Sequence, residues 1–190
     1  MILEGNLTKR TIISAGGVAS SSGKITEECY NLGNINVDFN GSGEQTLEVQ
    51  VGGVCGNLGP NQIISNCYNI GNVTANSNKE ELFVAGITSK GISGEESPEI
   101  KNCYNIGNVY GSCSERKYIG GIASLLSAKI TNCYYLNQDN FINNGAEAGI
   151  VKTEEQMKQD SFVELLNNGE NNWKKDINYI NNGYPILNWQ

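Results

Sequence analysis

The chain has 190 residues, 38% of them hydrophobic, and a formal charge of −7 with a pI near 4.7. That length predicts one domain, or one domain with a small appendage, and enough apolar mass for a core. The negative charge argues against nucleic acid, whose phosphates it repels. The absence of any His removes His-based acid–base and nucleophilic chemistry and most zinc sites.

In chain order, Met1 to Asn6 carries no charged leader followed by a long apolar run, so no targeting segment is expected there. The longest apolar-leaning stretch, residues 118–130, is about half a membrane span. It is broken by Gly120, Gly121 and Lys129, so no membrane insertion is expected.

From residue 11 to 137 the sequence repeats. One phrase occurs as Cys29-Tyr30-Asn31-Leu32-Gly33-Asn34-Ile35, Cys67-Tyr68-Asn69-Ile70-Gly71-Asn72-Val73 and Cys103-Tyr104-Asn105-Ile106-Gly107-Asn108-Val109. A degenerate copy stands at Cys133-Tyr134-Tyr135-Leu136-Asn137. The Cys-to-Cys steps are 38, 36 and 30 residues. A second phrase precedes each copy: Gly16-Gly17-Val18, Gly52-Gly53-Val54, Ala85-Gly86-Ile87 and Gly120-Gly121-Ile122. Two phrases in constant order at nearly one period identify a repeat architecture.

No apolar stripe of helical period runs through these residues, so each unit reads as short strands punctuated by Gly and Asn. In Ile100-Lys101-Asn102-Cys103, strict alternation would bury Lys101 with Cys103. A left-handed bend at Asn102 resolves this and lets both Ile100 and Cys103 face inward. Asn66 and Asn132 read the same way, and the first unit carries Glu28 at that place. Each Gly-Asn pair closes a phrase, and Ile35, Val73 or Val109 opens the next strand. Units of this kind predict a right-handed parallel β-solenoid (β-helix) of about four coils over residues 1–150, whose core exists only because coils stack.

Residues 151–190 read as a short helical and aromatic C-terminal cap over the last coil. Thr153-Glu154-Glu155-Gln156 has the pattern of a capping box, and Ser161-Phe162-Val163-Glu164 repeats it. Phe162, Leu165 and Leu166 are expected on one helix face. Trp173, Ile177, Ile180 and the ending Gly183-Tyr184-Pro185-Ile186-Leu187-Asn188-Trp189 complete the cap.

The Gly-Gly-Ile phrase paired with Asn-Cys-Tyr-Asn-x-Gly-Asn-Val resembles the GLUG repeats of bacterial cell-surface proteins, clostridial ones among them. The tail, with its Thr-Glu-Glu-Gln-Met helix and Asn-Gly-Tyr-Pro-Ile-Leu ending, is similar to the segment that often closes such arrays. The likeness runs over roughly residues 12–189. It implies an extracellular or cell-surface setting and a non-enzymatic repeat module serving as stalk or adhesion surface. Its partners would be a protein or glycan ligand and further repeats or domains of the parent chain. The His-Glu-x-x-His of the metallopeptidases that carry such stalks is absent, so their activity does not carry over.

Candidate chemistry is sparse. Cys29, Cys67, Cys103 and Cys133 hold equivalent positions and are expected as a stacked column of buried free thiols, because parallel Cβ vectors disfavour a disulfide. Cys55 is expected in the core and Cys113 in an exposed loop. No ligand set for zinc is present, and an Asn ladder between coils accounts for the repeated Asn without calcium, so neither metal nor cofactor is expected. The Asp residues, Asp38, Asp139, Asp160 and Asp176, are scattered, the only Arg are Arg10 and Arg116, and no catalytic residue is nominated. Tyr30, Tyr68, Tyr104 and Tyr134 follow the inward Cys, so they are expected to face outward as a stacked stripe. Such a stripe is the candidate binding site for a sugar or protein. Two alternatives to the stalk follow: a carbohydrate-binding module using the stripe, or a polysaccharide-processing β-helix enzyme with facing carboxylates and a base.

Overall fold

Four parallel sheets receive the chain in a fixed order. The computed structural model describes residues 1–6, 11–42, 47–78, 81–92, 94–137 and 149–190. The first sheet holds Ile2–Asn6, Ile35–Ser42, Val73–Ser77 and Val109–Cys113; the second holds Thr11–Gly16, Leu47–Gly52, Glu81–Ala85 and Arg116–Gly120. The third holds Ala19–Ser21, Cys55–Leu58, Thr88–Gly91 and Ala123–Leu126. The fourth takes Ile25–Glu27 with Tyr30–Asn31, then Ile63–Ser65 with Tyr68–Asn69, then Glu99–Asn105, Lys129–Leu136 and Ile150–Lys152. Each strand pairs in parallel with its counterpart from the next repeat, so the fold is all-β and parallel β-helix-like.

Register puts equal residues of the repeats beside one another: Tyr30 opposite Tyr68, Tyr68 opposite Tyr104, Cys103 opposite Cys133, Val73 opposite Ile35 and Val109. The bend expected at Asn is present. Asn66, Asn102 and Asn132 have φ of 51°, 52° and 48°, in the left-handed region that Asn tolerates. Glu28 adopts the same conformation, φ 49°, so the backbone of the array overrides residue preference in the first repeat.

The two recurring phrases meet in space. A Cβ on Gly53 would collide with the Asn69 amide, and one on Gly86 with the Asn105 amide. Glycine is required there because the carbonyl of the next repeat, Gly86 or Gly121, and that amide from the fourth sheet together occupy the space. In the degenerate fourth copy the Tyr135 ring takes the place of that Asn, against Gly121. This contact is why the Gly-Gly phrase and the Cys-Tyr-Asn phrase keep step along the sequence.

The interior divides into two apolar clusters. One joins Val54, Leu58, Ile64, Ile87, Ile100 and Ile122 with Cys55, Cys67, Cys103 and Cys133. The other joins Val37, Val49, Val51, Val73, Leu82 and Val84. All six Cys are free; four are buried, and Cys29 and Cys113 are half-buried. Cys113 closes a strand of the first sheet and packs on the second cluster, so it does not sit in the exposed loop expected for it. Burial pushes the Cys55 thiol up to about 11 and raises that of Cys103 as well, because a low-dielectric interior disfavours thiolate.

The tail forms helices Glu154–Met157 and Asp160–Asn167. Thr153 makes the expected capping box, its hydroxyl accepting from Gln156 N–H at 3.2 Å while Gln156 accepts from Thr153 N–H at 3.0 Å. The second expected box is absent. The helix starts two residues earlier than that box would set it, at Asp160, after Gln159, which makes no side-chain cap bond. Phe162 and Leu166 are buried, but Leu165 is 44% exposed, off the buried stripe. The expected position of the cap also changes. Ile150–Lys152 pairs with Tyr134–Leu136 on the fourth sheet, and the residues after it lie along the flank of that sheet rather than over the last repeat. Among the described residues, no helix is long and apolar enough to cross a membrane.

Candidate functional site

The four Tyr stand in one column on the fourth sheet, on the face away from the Cys. Tyr30 stacks on Tyr68 and Tyr68 on Tyr104, each with ring centroids 5.1 Å apart and planes within 11° and 7°. The strand pairing imposes this spacing, and offset stacking is favourable in itself. The outward direction is as expected; the exposure is not. Tyr68, Tyr104 and Tyr134 are buried and Tyr30 is half-buried. The flanking tail covers them, because large apolar rings on a sheet face gain more from cover than from water.

The cover is ordered along the column. Phe162 meets Tyr134 edge-on at 5.1 Å and Tyr104 at 6.0 Å. Trp173 packs on Tyr104 at 5.4 Å and Tyr68 at 5.9 Å, and Trp189 reaches Tyr30 at 5.8 Å. The tail therefore descends from the fourth repeat to the first as a strap. Its polar groups satisfy the phenols. Tyr104 donates to Pro185 C=O at 2.6 Å and accepts from Asn181 Nδ2 at 2.7 Å. Gln190 holds the Tyr68 hydroxyl at 2.9 and 3.1 Å, and Trp173 Nε1 donates to Asn66 Oδ1 at 3.3 Å. Burial pushes the Tyr68 phenol up to about 12 and raises those of Tyr104 and Tyr134. A column so covered is a structural spine; Tyr68, Tyr104 and Tyr134 do not offer an open aromatic stripe to a ligand.

The repeated Asn are likewise engaged within the molecule. Asn31 Nδ2 donates to Asn69 Oδ1, and Asn69 Nδ2 to Asn105 Oδ1, each at 2.7 Å. The same amides close their own turns on Gly33, Gly71 and Gly107 carbonyls. Asn72 N–H donates to Asn34 Oδ1, and Asn108 N–H to Asn72 Oδ1, both at 2.9 Å. No cluster of three or more His, Cys, Asp or Glu able to hold a metal occurs among the described residues.

Sequence reasoning did not find one polar group on the second sheet. Glu48 and Glu81 are register neighbours there. Glu48 is buried, pairs with Lys90 at 2.7 Å and accepts from Gln50 at 3.0 Å; Lys90 also lies 4.7 Å over the Phe83 ring. Glu81 pairs with Arg116 at 2.6 Å. The signal was the repeat register: Glu48 and Glu81 each stand four residues ahead of a copy of the Gly-Gly phrase, at Gly52 and Ala85. Each carboxylate faces a cation, and Glu48 is closed to solvent. Asp38 and Asp160 are exposed, and Asp139 and Arg10 lie outside the described residues.

The outer surface of the strap carries exposed apolar residues. Asp176 is buried and accepts from the N–H groups of Ile180, Asn181 and Gly183 at 3.0, 2.7 and 3.0 Å. The loop so fixed presents Ile177 and Tyr179, 74% and 77% exposed, beside a hollow of about 330 Å³ that Lys174, Lys175 and Ile186 help to line. Of the residues the sequence placed in the cover, Trp173, Tyr184 and Leu187 are buried against the column, whereas Ile177 and Ile180 are exposed.

No family model, curated protein or solved structure matches this chain.

Proposed function

We propose that this chain is a non-enzymatic repeat module of an exported bacterial surface protein, a right-handed parallel β-solenoid of about four coils that serves as a stalk or adhesion surface. The observation that carries the reading is the internal use of every repeated chemical group. The Cys column is core, the Asn ladder bonds repeat to repeat, and the Tyr column lies under the strap. Residues recurring at this period serve stacking, and the adjacent carboxylates Glu48 and Glu81 are each held by a cation. The bacterial and surface setting rests on the resemblance to GLUG repeats.

The test is incubation of the chain with neutral and acidic polysaccharides, with assays for new reducing ends and for unsaturated products. The reading expects neither. Turnover that is lost in Glu81→Gln or Glu48→Gln would replace it with the polysaccharide-processing alternative.

A further inference from the structure

The repeats supply their own control for exposure. Val18, Val54, Ile87 and Ile122 occupy one column, linked by Val18 N–H to Val54 C=O, Val54 N–H to Ile87 C=O and Ile87 N–H to Ile122 C=O, each at 3.0 Å. Val54, Ile87 and Ile122 are fully buried, while Val18 is 43% exposed. The same gradient holds at other inward positions. Ala15 is half-buried where Val51 and Val84 are buried, and Cys29 is half-buried where Cys67, Cys103 and Cys133 are buried. At these three columns the first repeat is less covered than the later ones; the column of Thr26, Ile64, Ile100 and Ile130 differs, with Thr26 buried and Ile130 half-buried.

The opening has a shape. Ile2–Asn6 extends the first sheet one strand beyond Ile35–Ser42. Among the described residues, Thr11–Gly16, Ala19–Ser21, and Ile25–Glu27 with Tyr30–Asn31 are the last strands of the second, third and fourth sheets on that side. The first sheet thus stands one strand proud of the other three, and the recess beside it has the form of the strands that one repeat gives to those three sheets. Its floor continues the interface that already joins the repeats.

We propose that this recess is a docking surface for one further turn of the same repeat, carrying an aliphatic residue at the Val54 position and a small inward residue at the Cys67 position. The proposal rests on the stacked-coil reading above. Register sets how such a turn meets the chain. Ile2 lies opposite Asp38 and Asp38 opposite Asn76, which places Met1 at the level of Val37 and Ala75. A copy of residues 47–74 joined directly ahead of Met1 therefore brings its Thr74 to Met1 as Thr74 leads to Ala75.

The experiment compares this fusion with the unfused chain by melting temperature and by thiol labelling of Cys29, read on the peptide unique to that residue. The expected result is a melting temperature higher by about 4 °C or more and at least tenfold slower labelling of Cys29. Both gains should be lost when the copied Val54 is changed to Asp. An unchanged melting temperature and unchanged Cys29 labelling, with the added segment cut readily by protease, overturns the proposal. So does an unfused chain that is dimeric in solution and becomes monomeric on Val18→Asp, because the recess then takes a second copy. Either failure leaves the polysaccharide assay unaffected, so the docking surface and the non-enzymatic reading fail separately.

Discussion

Thr88 turns its hydroxyl into the column shared by Cys55 and Ala123, fully buried, and its Oγ1 meets no hydrogen-bond partner among the described residues. A buried hydroxyl without a partner costs about 1–3 kcal/mol. Val is nearly isosteric and suits a strand, so Thr88→Val should raise stability by about 1 kcal/mol or more in urea unfolding. A loss of stability would show that the hydroxyl is engaged. The phenols set a second residue-scale expectation. Tyr68 rises from 10.0 to about 12 on folding because burial disfavours phenolate. The unfolded chain therefore loses that proton first as pH rises, so the stabilisation is complete below about pH 10 and falls between 10 and 12. Cys55, raised from 9.0 to about 11, adds the same sign from pH 9 upward. The midpoint of urea unfolding should be steady up to about pH 9 and then decline, and the decline should be shallower in Tyr68→Phe. A midpoint that rises above pH 10 would contradict the burial of these groups.

Among the elements, the strap separates what the sequence shows from what it hides. Trp173 is the largest fully buried side chain and touches both Tyr68 and Tyr104, so Trp173→Ala should cost about 3–5 kcal/mol. Deleting residues 153–190 should bare Tyr68, Tyr104 and Tyr134 together and drive association measurable by light scattering. A truncated chain that stays monomeric with an unchanged melting temperature would make the strap an appendage. The Thr153 capping box was legible because it is a contact between residues three apart. The bends at Asn66, Asn102 and Asn132 were legible because a left-handed residue changes which neighbours can face inward. The Ser161 box failed because tertiary docking of Phe162 and Leu166 fixed the helix start, not the cap. The path of the strap was illegible in a stronger sense: Phe162, Trp173 and Trp189 announce a need for cover, and nothing local says which surface they cover. The same limit hid the Glu48–Lys90 pair, whose partners are 42 residues apart.

At the scale of the whole molecule, parallel register converts one local phrase into ladders, and the strap ties the ladders together across the stack. Its order is specific: Phe162 at the third and fourth repeats, Trp173 at the second and third, Trp189 at the first. Cover of this kind resists separation of repeats, because opening any one junction also strips aromatic contacts from the tail. The most direct measurement is photo-crosslinking from a benzophenone amino acid placed at position 189 in one sample and at position 162 in another, with the joined peptides identified by mass spectrometry. The account predicts that position 189 captures the peptide containing Tyr30 and that position 162 captures those containing Tyr104 and Tyr134, all within one molecule. Capture of the fourth repeat from position 189, or crosslinks only between molecules, would contradict it.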